Sequence, residues 1–309
     1  MTASLEHAET ELDYSDGAAF VEGEFVPVGA ARIPVLDWGF LHSDVTYDVV
    51  HVWKGSFFRL EDHLDRFERS CSALRLRLPC DRDKIREILM QCVRLSALRD
   101  AYVEMVCTRG KPAAGSRDPR TCTNTLLAWA VPFIWIFTPE QQKRGGHLII
   151  SKVQRIPPES LAPTIKNFHW GDMTQALFEA YDRGAATAVL VDSKGNISEG
   201  PGFNVFCVAA GKVISPGDTV LEGITKKTVR ELCAELEVPF EVGSVSPQEL
   251  RDADEVFVSS TAGGIMPITR VDTRTLGHGR PGPLFMRLRD LYWVKHEQGW
   301  YATPVRYDT

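Results

Sequence analysis

Helix-like and strand-like patterns are mixed along this chain without a regular strand–helix–strand beat, and that mixture constrains the fold more than any other feature. Residues 61–76 carry Leu64, Phe67, Cys71 and Leu74 at spacings of three and four, which predicts a helix with one apolar stripe. Residues 81–98 repeat the pattern with Ile85, Ile88, Leu89, Cys92 and Leu95. Residues 225–236 do so with Val229, Leu232, Cys233 and Leu236. Helices are also expected over 172–183 and 284–297. Between these lie strand-like stretches at 101–109, 123–131, 147–155, 188–192 and 255–259. A hairpin is expected over 19–28 around Glu22-Gly23-Glu24, and another over 203–214 around Ala210-Gly211. Residues 44–58 read as a β-rich stretch turning at Lys54-Gly55, and residues 1–19 as a loose arm. The sum is α+β rather than a doubly wound sheet. The 309 residues suffice for about two domains. The pattern restarts after a connector that holds Pro139 and Lys143-Arg144-Gly145-Gly146. The expected division is a smaller N-terminal α/β domain (1–133), a connector (134–146) and a larger C-terminal domain (147–309).

Charge and cysteine usage exclude several classes. A formal net charge of -6 argues against a nucleic-acid surface. The seven cysteines are scattered and form no Cys-x-x-Cys, which favours reduced thiols over a disulfide framework or a zinc site. Residues 1–16 are acidic and polar, unlike a signal peptide. The best apolar run, 126–137, is broken by Pro132 and falls short of membrane length. The expectation is a cytoplasmic protein with no membrane partner.

Lys166 is the first candidate for chemistry. It lies in Pro163-Thr164-Ile165-Lys166-Asn167-Phe168-His169-Trp170, between a strand and a helix. Pro163 stiffens the approach, and Phe168 and Trp170 offer apolar surface against which an amine loses hydration and gains nucleophilicity. Glu199 follows across the next strand, and Gly200-Pro201-Gly202 makes a tight turn that aims it. A lysine that can form a Schiff base and an acid that can hold a pyridine nitrogen protonated suit a pyridoxal phosphate site. A phosphate would need its own cradle. Gly223-Ile224-Thr225 opens a helix whose free N–H groups favour an anion, although a simple Thr cap reads equally well. Ser259-Ser260-Thr261-Ala262-Gly263-Gly264 offers hydroxyls and glycines, or a plain loop. Arg66 could fork onto a phosphate or pair with Asp62 four residues earlier. Gly277-His278-Gly279-Arg280-Pro281-Gly282 matches a dinucleotide motif by letter, but no strand is expected before it. His42, His51 and His63 match no standard metal spacing.

Taken together, these segments resemble the fold-type IV pyridoxal phosphate enzymes, over nearly the whole chain from Gly17. That class holds branched-chain aminotransferases, D-amino-acid aminotransferases and aminodeoxychorismate lyases. Four stretches resemble the (R)-selective amine transaminase branch: Arg32-Ile33-Pro34-Val35-Leu36-Asp37, His42-Ser43-Asp44-Val45-Thr46-Tyr47-Asp48-Val49, Pro163 to Asp172, and Thr261-Ala262-Gly263-Gly264-Ile265-Met266-Pro267-Ile268. The resemblance implies a two-domain α+β fold whose larger domain binds pyridoxal 5'-phosphate. It implies that Lys166 bears the cofactor and shuttles the proton, and that Glu199 binds the pyridine nitrogen. Arg66, Ile224, Thr225 and Thr261 would hold the phosphate. Tyr47 and Trp170 would flank the substrate, with His42, Val49, Tyr102, Glu104 and Ala262 in or around the pocket. Amine and keto-acid substrates and a homodimer, with partner loops closing each site, are implied as well.

The 101–110 strand lacks the Arg-x-His pair with which D-amino-acid enzymes hold a carboxylate, and carries Glu104 instead. That fits an amine without a carboxylate. In the following loop, the place of an arginine that binds keto acids in some amine transaminases holds Ala114, with Arg117 as the candidate substitute. The implied activity is transfer of an amino group from an (R)-primary amine to a keto acid such as pyruvate. The alternatives are a D-amino-acid or branched-chain transaminase, a lyase on the same scaffold, or a non-catalytic binder.

Overall fold

The structure, a computed structural model, describes residues 12–308. Two sheets organise it. The first runs, in spatial order, Ala302–Pro304, Ser56–Phe58, Val45–Trp53, Ala101–Lys111, Thr123–Pro132, Ala18–Val21 and Glu24–Pro27. Every neighbouring pair in it is antiparallel. Strand alternation sorts its side chains. Val50, Val52, Val103, Met105, Leu126 and Ala128 bury one face against helices Leu60–Ala73 and Arg82–Ser96. Tyr47, Val49, Val106 and Leu127 form a smaller apolar cluster on the other face.

The two helices bury the expected stripes, with Leu64, Phe67, Ile85 and Leu89 at their centres. Asp81 starts the second helix by accepting a hydrogen bond from Lys84 N at 2.9 Å, and Ala97 ends it at φ 53°.

The second sheet runs Phe240–Gly243, Lys212–Pro216, Asn204–Ala209, Glu255–Ser260, Gly264–Val271, Gly146–Gln154 and Thr187–Val191, with Arg274–Thr275 paired to Gly264–Val271. It is mixed. Helix Gly171–Asp182 joins the parallel strands Gly146–Gln154 and Thr187–Val191. Helix Ile224–Glu235 joins the parallel strands Lys212–Pro216 and Phe240–Gly243. The segments holding Lys166 and Gly223 are therefore both strand-to-helix connections, leaving strands at their carboxyl ends, where such sheets form crevices. The α+β architecture expected from the sequence is present, and the structure builds it on two sheets.

Some elements were not anticipated. The 134–146 connector contains helix Pro139–Arg144, opened by a Thr138/Gln141 capping box; Pro139 starts that helix rather than breaking it. Residues after Thr261 form a buried strand, Gly264–Val271, whose glycine-rich entry disguised it as a turn. Helices Trp38–His42 and Pro247–Asp252, and strands Phe240–Gly243 and Ala302–Pro304, are too short to leave a clear periodicity. Of the expected arm, residues 1–11 lie outside the described residues, and Ala18–Val21 already belongs to a strand.

The sheets meet through helix Pro283–Glu297. His51 of the first sheet and His296 of this helix stack at 5.3 Å, with Nε2 to Nε2 at 3.2 Å. His296 Nδ1 lies 2.8 Å from the Tyr292 carbonyl, so it donates there and its Nε2 must accept from His51. That chain requires a neutral His296, the acceptor ring, and burial disfavours charge on His51 as well. Burial holds His51 well below its ordinary value near 6.5 and brings His296 to about 4. Both folded values are depressed, so the contribution is complete above the unfolded value and is lost as pH falls. The urea midpoint should therefore drop between pH 6.5 and 4, by about 2 kcal/mol in stability at the lower end. His296→Gln should flatten that interval; a variant profile parallel to the parent's would rule the pair out as the cause.

Candidate active site

A cavity of about 380 Å³ opens between the two sheets. The first sheet supplies Tyr47, Val49 and Tyr102; the two strand-to-helix connections supply Lys166, Asn167, Trp170, Leu221, Gly223, Ile224 and Thr225. Ser259 comes from the end of strand Glu255–Ser260, and Thr261 and Ala262 from the turn that follows it.

Lys166 is held by its backbone. Its carbonyl accepts from Thr46 Oγ1 at 2.6 Å and from Tyr47 N at 3.3 Å, stitching the loop to the first sheet. Its Nζ sits 4.2 Å from the centre of the Tyr47 ring. The aromatic surface against the amine is thus Tyr47. Phe168, expected there from sequence, is partly exposed and packs on Tyr47 at 4.7 Å between ring centroids.

Glu199 is buried in the wall. Its backbone pairs with the Thr187–Val191 strand through Leu190 N, and Gly200 and Phe203 close the turn after it. Gly202 takes φ +80°, which the turn requires. Oε2 accepts from Leu221 N at 3.0 Å, and Oε1 faces Arg155 Nε at 3.2 Å. Burial pushes the Glu199 carboxyl above its ordinary value, while Arg155, the Leu221 N–H and Lys166 pull the other way. Sequence reading missed Arg155; the one available signal was general, that a buried acid needs a cation.

Arg66 reaches the cavity from helix Leu60–Ala73, and its carboxylate partner is Asp48 rather than Asp62, the alternative to a phosphate that the sequence offered. Nε and Nη2 fork onto the Asp48 carboxylate at 2.7 and 2.8 Å, His63 Nδ1 adds a contact at 2.8 Å, and Nη1 donates to the Glu222 carbonyl at 3.2 Å. Asp62 is instead engaged by Arg59 and Lys227. Burial raises the Asp48 carboxyl, but Arg66 and His63 more than offset it and hold it far below the usual carboxylate range. Arg66 is thereby fixed at the mouth of helix Ile224–Glu235.

That helix starts at Gly223, so Thr225 is not its cap, contrary to one reading of the sequence. A Cβ on Gly223 would collide with Asn204 Oδ1, and Asn204 Nδ2 donates to the Leu221 carbonyl at 2.9 Å. The first-turn N–H groups have no intrahelical partner. Ser259 Oγ, in the same wall, is buried with no hydrogen-bond partner in the protein. Helix N–H groups, a fixed guanidinium and a free hydroxyl together suit a bound anion.

Glu104 does not itself line the cavity. It shares the sheet face of Tyr102 and lies directly opposite Val49. Burial pushes it to about 7, with Lys166 pulling down. His42 is not brought to this cavity: it ends the short helix Trp38–His42 and lines a separate hollow with Trp38, Asp44 and His169. Arg117 and Ala114 are on the 112–122 loop and do not line the cavity either.

The Gly277–Gly282 motif is preceded by a strand after all, the two-residue Arg274–Thr275, and is followed by helix Pro283–Glu297. It still offers no phosphate site. Glu255 fills that helix N-terminus, accepting from Leu284 N at 2.9 Å and Phe285 N at 2.8 Å.

Residues 46–271 match the family model for amino-transferase class IV. The chain belongs to the class IV aminotransferases. This aminotransferase is 29% identical to a D-alanine aminotransferase of Bacillus licheniformis, over 85% of its own length and 91% of the relative's. It is 29% identical to a branched-chain-amino-acid aminotransferase of Pseudomonas aeruginosa, over 90% and 92%. A branched-chain amino acid aminotransferase solved in complex with N-(5'-phosphopyridoxyl)-L-glutamate superposes with a TM-score of 0.86 at 27% identity, covering 95% of this chain and 100% of that one. Among the described residues, no helix of the aminotransferase is long and apolar enough to cross a membrane.

Proposed function

We propose that this aminotransferase uses pyridoxal 5'-phosphate to move an amino group from an (R)-primary amine to a keto acid such as pyruvate. The cavity fits that cofactor on its own evidence: an amine on one wall, a buried carboxylate on another, and the unpartnered Ser259 hydroxyl beside a helix N-terminus. Arg66, Ile224, Thr225 and Thr261 would hold the phosphate, Glu199 the ring nitrogen, and Lys166 Nζ the aldehyde carbon. The bound cofactor supplies an electron sink for charge developing at the substrate α-carbon. Lys166 Nζ would take the α-proton of the bound amine and deliver it to the cofactor on the same face, which would set the stereochemistry. Tyr47 and Trp170 flank the amine, with Val49, Tyr102 and Ala262 around it.

The observation that carries the amine reading is the set of cations in the wall. Among the described residues that line the cavity, the cationic side chains are Arg66, Arg155 and Lys166. Arg66 is forked onto Asp48, and Arg155 is held by Glu199 and Asp172. Arg66 is turned to the helix mouth, where the phosphate would sit, and Arg155 is taken up by its two carboxylates, so neither is left for a substrate carboxylate; Glu104, on the sheet face of Tyr102, adds no cation. The names of the relatives favour the alternative, a D-amino-acid or branched-chain substrate.

A substrate panel separates them: (R)-1-phenylethylamine, its (S) enantiomer, D-alanine, D-glutamate and L-leucine, each with pyruvate or 2-oxoglutarate. The (R)-amine should give the highest kcat/KM, by about 100-fold over its enantiomer. Turnover confined to D-alanine or L-leucine would replace the reading with the corresponding amino-acid transaminase, and pyruvate release without an added keto acid would indicate a lyase. A homodimer is part of the proposal. Ile33, Val35, Leu36, Phe40 and Leu41 form an exposed apolar run beside His42, a surface that a second copy would cover.

A further inference from the structure

Glu199 faces a difficulty that the cavity alone does not resolve. A carboxyl this deep loses hydration, and the neutral acid is the form burial favours. As a neutral acid it could not hold a ring nitrogen protonated. The structure places one guanidinium against it. Arg155 leaves the end of strand Gly146–Gln154, its backbone N–H fixed to the Val191 carbonyl at 2.9 Å. Its Nε lies 3.2 Å from Glu199 Oε1, and its Nη1 lies 2.7 Å from Asp172 Oδ2. Glu199 is buried and Arg155 and Asp172 are partly buried, with side chains 6%, 10% and 9% exposed. Asp172 is fixed in turn by Ile156 N at 3.0 Å and Met173 N at 2.8 Å, in the first turn of the helix that follows the Lys166 loop.

We infer that Arg155 is a positioning residue: it keeps Glu199 a carboxylate aimed into the cavity and, through Asp172, ties it to the segment that carries Lys166. The charge count supports this. Two carboxylates share one guanidinium, so the buried cluster carries one negative charge, the complement of one protonated ring nitrogen. Asp172 alone would satisfy a structural arginine. The fork onto a second, cavity-facing carboxylate serves the ligand. The inference rests on the cofactor proposed above.

The test uses holoenzyme reconstituted with pyridoxal phosphate labelled with ¹⁵N in the ring, and reads the ring-nitrogen shift by NMR beside steady-state kinetics. The parent should show a protonated ring. Arg155→Gln should show an unprotonated ring at the same pH, with kcat down about 100-fold and KM for the amine changed by less than about threefold. Arg155→Lys, which keeps the charge but loses the fork, should recover most of the protonation and release it at a lower pH than the parent. A parent-like ring shift in Arg155→Gln overturns the inference. If that variant does not fold, the lysine variant decides, and ring titration identical to the parent's overturns it equally. A parent that takes up no labelled cofactor refutes the functional reading instead, so the two failures are distinguishable.

Discussion

Lys166→Ala should abolish transamination and the visible absorption of the cofactor-loaded protein. The expected loss is about 10⁴-fold or more in kcat, because one amine serves as both covalent anchor and proton carrier. The variant should fold. What docks the 163–170 loop is the Lys166 carbonyl, held by Thr46 Oγ1 and Tyr47 N, and the substitution leaves it in place. No other lysine lines the cavity among the described residues. Lys226, nearby in helix Ile224–Glu235, has its Nζ tied to the Pro216 carbonyl at 2.9 Å and to Glu222 at 3.0 Å. Single-turnover kinetics with the best amine, read beside an absorption spectrum, checks both halves. Turnover within tenfold of the parent's would remove Lys166 from the chemistry.

Glu199→Gln should leave the cofactor bound but slow the proton transfer by about 10² to 10³-fold. Glutamine keeps the shape and an oxygen for the Leu221 N–H, so the wall stays closed. It removes the negative charge that holds a ring proton, and leaves Arg155 with Asp172 as its remaining anion. The deuterium isotope effect on an α-deuterated amine should rise, because the slowed step is the one that moves that proton. Parent-like kcat with an unchanged isotope effect would show that the carboxylate is no part of the electron sink.

The sequence carried Lys166 and Glu199 because each stands in a short segment with its own logic. Pro163 and the aromatics mark the first, and Gly200-Pro201-Gly202 the second. The Thr225 helix was legible from its stripe, and the cradle around it from its glycine. Arg155 left no trace, since an arginine at a strand end is ordinary until the acid it faces is known. Asp48 was hidden for a related reason. It sits in a β-rich stretch whose alternation turns it toward helix Leu60–Ala73, so Arg66 forks onto it across 18 positions rather than pairing four residues back. His42 and Glu104 lie off the cavity of this chain because the face a residue presents depends on where a strand or short helix docks.

Local periodicity and turn chemistry, which act within about one to four residues, are written in the chain itself, and they determined the helices, most strands and the two candidate side chains, Lys166 and Glu199, that the cavity brings together. Charge pairing over long separations is not, because a buried ion's partner is chosen by which elements pack together. The tertiary structure alone decided that Arg155 meets Glu199, that Arg66 meets Asp48, and that Tyr47 lies under the amine of Lys166.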